Sequence, residues 1–173
     1  MNKEEFSKFY DDNIDKVFRF TYLRVDSAET AQDLTSQVFF RFWQETSRSP
    51  KKIKNPVAFL YRMARNKIID FYRQKKKKPL SLDKVQEIAD FQVAHTTFRQ
   101  KIELNWEMEK VKRSLQSLPP LYADIIIWRH LDGLSYKEIA EILKKKEGAV
   151  RVLLHRALKE LKERLSSSAI ASE

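Results

Sequence analysis

Residues 132–158 read DGLSYKEIAEILKKKEGAVRVLLHRAL. Two helical patterns lie end to end here, joined by three or four polar residues. Ser135 stands at the cap position of the first, with Glu138 three residues on in a capping-box arrangement. Ile139, Ala140 and Leu143 are its inward positions. The second pattern begins near Glu147, and its apolar stripe reads Val150, Leu154, Leu158, Leu161 and Leu165. Removing that stripe leaves Gly148, Arg151, Val152, His155, Arg156 and Lys159 on the outer face. Arg151 can bond guanine bidentately, Val152 can touch a thymine methyl, and His155 can donate to a base or a phosphate. This spacing lets one helix lie in a DNA major groove, as in a helix-turn-helix. An ordinary αα-corner has the same periodicity, so the pattern alone leaves both open.

A second stretch, NPVAFLYRMARNKIIDFYRQKKKK at 55–78, is more basic still. The chain has 173 residues and a net charge of +10, and residues 51–78 alone carry 11 basic groups against the single acid Asp70. So concentrated a patch is a footprint for polyanions. A Lys run is also a common solvated end. Arg62, Arg65, Lys67 and Arg73, spread along a predicted helix rather than gathered in the run, favour binding.

Two glycines and five prolines in the whole chain disfavour tight-turned sheets and favour helices. The absence of cysteine excludes a disulfide scaffold, a Cys-ligated zinc site and thiol chemistry, and suits a reducing compartment. The start, MNKEEFSKFYDDN, has no apolar signal region, and no apolar run approaches the roughly 18 residues that span a bilayer. The chain reads as soluble and cytoplasmic, with no membrane insertion. His95, His130 and His155 are scattered, with no paired carboxylates beside them, no metal-ligand spacing and no phosphate loop. No enzyme, metal or cofactor is expected.

Periodicity predicts a first helix over about 3–25, on Phe6, Tyr10, Ile14, Val17, Phe18 and Tyr22. Asp26 is the expected cap of a second helix reaching about Thr46, with Ala31, Leu34, Val38 and Phe42 buried and Asp33, Gln37, Arg41 and Gln44 on another face. Asn55 caps a third, with Pro56 at its first position and a core face of Val57, Leu60, Tyr61, Ala64, Ile68 and Phe71. A fourth spans about 98–117 on Ile102, Trp106, Val111 and Leu115. Leu118-Pro119-Pro120 breaks it and opens a helix through the apolar block Ile125–Trp128, which Asp132-Gly133 ends. The fold class is all-α: two small helical domains, 1–78 and 107–168, joined by a linker at 79–106, the second containing the helix-turn-helix.

In this order and spacing the motifs resemble the bacterial sigma-70 family of RNA polymerase sigma factors, extracytoplasmic-function (ECF) group. GLSYKEIAEIL…EGAVRVLLHRAL looks like the family's region 4, and LPPLYADIIIWRHLDG like the opening of that domain. AQDLTSQVFFRFW resembles the region 2 helix that docks on core polymerase, and NPVAFLYRMARNKIIDFYRQKKK the next helix, which opens and reads promoter DNA. The resemblance implies that Asp33, Gln37 and Phe40 meet the polymerase. It implies that the loop with Lys51, Lys52 and Lys54 captures a flipped base of the −10 element, and that Phe59, Arg62, Arg65, Asn66, Lys67 and Arg73 lie along the opened strand. Arg151, Val152, His155 and Arg156 match the positions that meet the −35 element, with Lys146 beside them. Implied partners are core RNA polymerase, promoter DNA and an anti-sigma factor, around a chain that is monomeric when free.

The chain departs from the family in three places. Phe59 stands where the family has Trp, keeping a stacking surface without the indole donor. Lys144-Lys145-Lys146 replaces a Gly-hydrophobe-Ser turn; the missing cap costs about 1 kcal/mol and a non-Gly residue at positive φ about as much, so a looser or reshaped turn is expected. Val152 and Leu153 replace a small polar and a basic residue. Three rivals remain at this level. A dimeric helix-turn-helix regulator would use the Leu158-Leu161-Leu165 tail to pair, a nuclease or recombinase would need a site the residues do not supply, and a degenerate paralogue would bind polymerase without initiating.

Overall fold

The computed structural model describes residues 1–48, 53–77 and 106–170. They fall in two compact units, Met1–Arg99 and Gln100–Glu173. Among the described residues every regular element is a helix.

Unit 1 packs three helices, each against the other two: α1 (Lys3–Arg24), α2 (Ala28–Arg48) and α3 (Pro56–Lys77). α1 starts with a capping box: the Asn2 side chain accepts from the Glu5 N–H, and the Asn2 N–H donates to the Glu5 carboxylate, both at 2.8 Å. The expected stripe of α1 is buried from Tyr10 on, but so are Phe20 and Leu23. From Val17 to Leu23 every residue but Arg19 is buried, so this part of α1 is enclosed on most sides. The cap of α2 is Ser27, not Asp26. The Ser27 hydroxyl accepts from the Thr30 N–H at 3.1 Å, while Asp26 turns to the far end of α3 and bonds Lys75 at 2.7 Å. Asn55 caps α3 as expected, accepting from the Ala58 N–H at 3.0 Å. The buried face of α3 includes Ala58 where the stripe anticipated Val57, which is half-buried. Fully buried Phe20, Phe39, Phe42, Leu60 and Tyr61 make the centre of this core; burying each such side chain is worth about 1.5–3 kcal/mol.

Unit 2 comprises α4 (Trp106–Gln116), α5 (Pro120–Ile126) running into a π-helical turn (Ile127–Leu131), α6 (Tyr136–Leu143) and α7 (Glu147–Ile170). In α4 the inward residues are Lys112 and Leu115, while Val111 is 40% exposed; Ile102 lies outside the described residues. α4 meets α5 and α7; Leu115 is inward as expected, and Lys112 takes the inward place expected of Val111. Ile125, Ile127 and Trp128 are fully buried, so the apolar block is central as anticipated. Gly133 takes φ +74°, a left-handed conformation that favours glycine, and turns the chain into α6.

Candidate nucleic-acid interface

The helix-turn-helix is built by caps at both ends of α6. The Ser135 hydroxyl accepts from the Glu138 N–H at 3.2 Å, and the Glu138 carboxylate accepts from the Ser135 N–H at 2.8 Å. At the other end Lys144 takes φ 53°, ψ 46°. The Lys145 N–H then reaches back to the Ala140 carbonyl at 2.9 Å and the Lys144 N–H to Glu141 at 3.4 Å. The turn is therefore not loosened by its lysines. It closes as an ordinary helix C-terminus, with Lys144 in the position usually taken by glycine.

α7 is buried at Val150, Leu154 and Ala157, with Leu161 half-buried. The expected stripe went wrong at Leu158 and Leu165, which are 39% and 51% exposed. Ala157 lies in line with Val150 and Leu154, one position before Leu158, and is fully buried. The outer face is as anticipated: Arg151, Val152, His155, Arg156 and Lys159 are all exposed, with Lys146 in the turn before them. Val152 is 50% exposed, so an apolar contact surface stands among the cations. A Cβ on Gly148 would meet nothing within 4 Å, leaving open backbone at the start of the helix. Two residues absent from the expected set join this face. The guanidiniums of Arg151 and Arg129 lie 4.3 and 4.8 Å from the centroid of the half-buried Tyr136 ring.

In unit 1, Asp33, Gln37 and Phe40 share one side of α2. Asp33 is exposed at the surface, Gln37 is half-buried, and Phe40 is 41% exposed, while Phe39 and Phe42 point fully inward. Trp43 is half-buried against Phe6, ring centroids 4.8 Å apart. Partial burial, and then the Glu29 charge, hold the Asp33 carboxyl above the usual carboxylate range. A groove of about 500 Å³ runs between α2 and α3. Gln37 and Arg41 line one wall, and Phe59, Met63, Asn66, Lys67 and Asp70 the other. The structure thus brings a residue of the expected polymerase set, Gln37, onto one groove with three of the expected DNA set, Phe59, Asn66 and Lys67.

The rest of the DNA set spreads around α3. At about 100° per residue, Arg62 and Arg73 fall near Phe59 and Asn66, whereas Arg65 lies well round the helix, and both Arg62 and Arg65 are half-buried. Phe59 packs on Phe42 at 5.9 Å, so its ring belongs partly to the core. Arg73 pairs with Asp70 at 3.3 Å, and the Tyr72 hydroxyl donates to the Arg24 carbonyl at 2.8 Å. Lys54 is exposed just before α3. Lys51 and Lys52 lie outside the described residues. Among the described residues no helix is long and apolar enough to cross a membrane, and no three His, Asp or Glu side chains stand together as a metal site.

The family described as Sigma-70 region 2 matches residues 9–78, and Sigma-70, region 4 matches residues 108–161. The ECF RNA polymerase sigma factor BldN of Streptomyces coelicolor is 27% identical over 167 residues, covering 96% of this chain and 62% of BldN. The chain thus spans less than two thirds of that relative's length. The ECF RNA polymerase sigma factor SigW of Bacillus subtilis is 27% identical over 173 residues, covering 95% of this chain and 90% of SigW. Among solved structures, the sigma factor RpoE in complex with the anti-sigma factor NepR, from Bartonella quintana, shares the fold with a TM-score of 0.69 at 17% identity, over 94% of this chain and 98% of that one.

Proposed function

We propose, for a chain that belongs to the sigma-70 family and its extracytoplasmic-function group, that it binds core RNA polymerase and directs initiation at promoters with separate −10 and −35 elements. The observation that carries this is the pairing, in one chain, of the matched regions with two exposed basic surfaces: α3 with its groove, and α7 with its outer arginines. Residues 1–78 act on the polymerase and the −10 element, residues 107–168 on the −35 element, and residues 79–106 join them.

The mechanism has no covalent chemistry of its own. Asp33, Gln37 and Phe40 on α2 dock on the polymerase. The loop lysines 51, 52 and 54 and the α3 residues Arg62, Arg65, Asn66, Lys67 and Arg73 follow the opened strand. There, stacking on an aromatic such as Phe59 is worth about 1–3 kcal/mol per base. Arg151, Val152, His155 and Arg156 read duplex DNA, and Lys146 adds a phosphate contact that carries no sequence information. Dividing the grip between two tethered domains and the polymerase raises effective concentration, so neither domain needs to bind tightly alone. An anti-sigma factor, as RpoE has in NepR, would silence the chain by masking these faces.

The test is reconstitution. The purified chain mixed with core RNA polymerase is expected to form a stable complex and to yield promoter-specific transcripts. No complex would refute the assignment. A complex without transcripts would identify a polymerase-binding relative that does not initiate.

A further inference from the structure

Tyr136, the first residue of α6, and Arg129, in the π turn, have no part in the assignments above. Yet they meet Arg151 of the recognition helix. The Arg151 guanidinium lies over the Tyr136 ring at 4.3 Å and that of Arg129 at 4.8 Å. Arg129 is itself held, its Nη1 donating to the Leu134 carbonyl at 3.0 Å. Three elements thus converge on one half-buried ring.

Arg151 has an obvious alternative. Glu147 stands one turn N-terminal to it, the favourable order for an acid–base pair on a helix. No ion pair joins them, and among the described residues no carboxylate pairs with Arg151 or Arg129. The difference matters chemically. A carboxylate would occupy the guanidinium's N–H donors and cancel its charge. An aromatic face attracts the charge while leaving all the donors unused. A long side chain held beforehand also loses less freedom when it binds.

We propose that Tyr136 is a positioning residue for base reading: it holds Arg151 extended, with its donors and charge available for a base edge in the major groove, while Arg129 on the same ring adds a second cation for the neighbouring phosphate. This rests on the −35 reading above and deepens it.

Two measurements test it on the full chain. In the first, nitrogen–proton NMR of the free protein follows the Arg151 Nε–H resonance. Ring current is expected to shift it in the wild type and in Tyr136→Phe, and the shift is expected to vanish in Tyr136→Leu. In the second, the complex with core polymerase is titrated against promoters carrying single −35 substitutions. Tyr136→Leu is expected to weaken binding to the preferred −35 element roughly 2- to 5-fold. It should flatten the preference at the same base pair as Arg151→Ala, and add nothing in the Arg151→Ala background, while Tyr136→Phe binds as the wild type does. Three results would each overturn the proposal: an unshifted Arg151 resonance in the wild type, a Tyr136→Leu loss that adds in full to that of Arg151→Ala, or a Tyr136→Phe loss as large as that of Tyr136→Leu. If the wild-type complex binds no promoter, the function proposed above falls, and the resonance alone still decides whether Tyr136 holds Arg151.

Discussion

α3 and α7 are both basic helices with one face in a core, and both counter part of their charge, but they differ at one arginine. On α3, Arg73 is paired with Asp70 and Lys75 with Asp26, and Tyr72 ties the helix end to the Arg24 carbonyl. On α7, Lys159 and Arg164 pair with Glu163 and Glu160, but Arg151 is held by an aromatic ring and no carboxylate. Both helices thus have some of their charge countered within the fold, but the sparser one also presents an arginine with no carboxylate beside it. Charge density tells where a polyanion settles; arrangement tells where a sequence can be read.

The largest test of that contrast removes one side's support. Phe42 is fully buried and stacks on Phe9 at 4.9 Å, so Phe42→Ala is expected to cost unit 1 about 3–5 kcal/mol. Urea denaturation followed by residue-resolved amide signals of unit 1 should show it unfolding at lower urea than in the wild type; an unchanged midpoint would contradict the central place of Phe42 in its core. Next, Arg151→Ala should lower affinity for the preferred −35 element about tenfold and leave polymerase binding intact. Lys67→Ala should instead weaken all promoters alike and reduce the salt slope by about 1. Filter binding of the polymerase complex at several salt concentrations separates the two patterns. A smaller effect concerns the frame of the reading helix: Ser135→Ala removes half of the α6 capping box and should destabilise unit 2 by about 1 kcal/mol, read as a lower melting temperature.

The smallest expected change is at Asp33. Its carboxyl titrates above the usual range, so the folded state holds that proton more tightly than the unfolded chain does. The associated stability is present at acidic pH, below the ordinary value of 3.8, and is lost as pH rises through the raised one. At neutral pH Asp33→Asn should therefore leave stability within about 0.5 kcal/mol, unchanged or slightly improved, while weakening polymerase binding. Melting curves from pH 3 to 7 would check the first half, and a lower melting temperature for the variant at pH 7 would contradict it.

Much of this was legible in the sequence because the signals were local. The Ser135–Glu138 box, Asn55 before Pro56, Gly133 and the apolar block at Ile125–Trp128 each act within a few residues. The misses share another cause. Asp26 and Ser27 are both good cap residues; Ser27 takes the cap, while Asp26 bonds Lys75, a partner 49 residues away. Ala58 and Ala157 carry too little apolar surface to stand out in a periodic pattern, yet smallness is what suits a close helix contact. For the lysine turn the expectation was a looser or reshaped connection, and two backbone hydrogen bonds hold Lys144 in the left-handed conformation. The contacts of Arg129 and Arg151 with Tyr136 join three elements, and no local spacing announces them.

The π turn also bears on which insertions and deletions the chain tolerates. The Asp132 N–H bonds back five residues to the Ile127 carbonyl at 3.0 Å, so this coil holds one residue more than an α-helix needs. Dropping a single residue here would restore ordinary helix rather than open a gap. Because the coil absorbs the surplus residue locally, the segment downstream would keep roughly its place, while Arg129 within the coil would shift against Tyr136. A one-residue deletion between 127 and 131 is therefore expected to be mild for the fold and to fall on the Arg129–Tyr136 contact, making this coil a place where the chain can lose a residue and keep its helices.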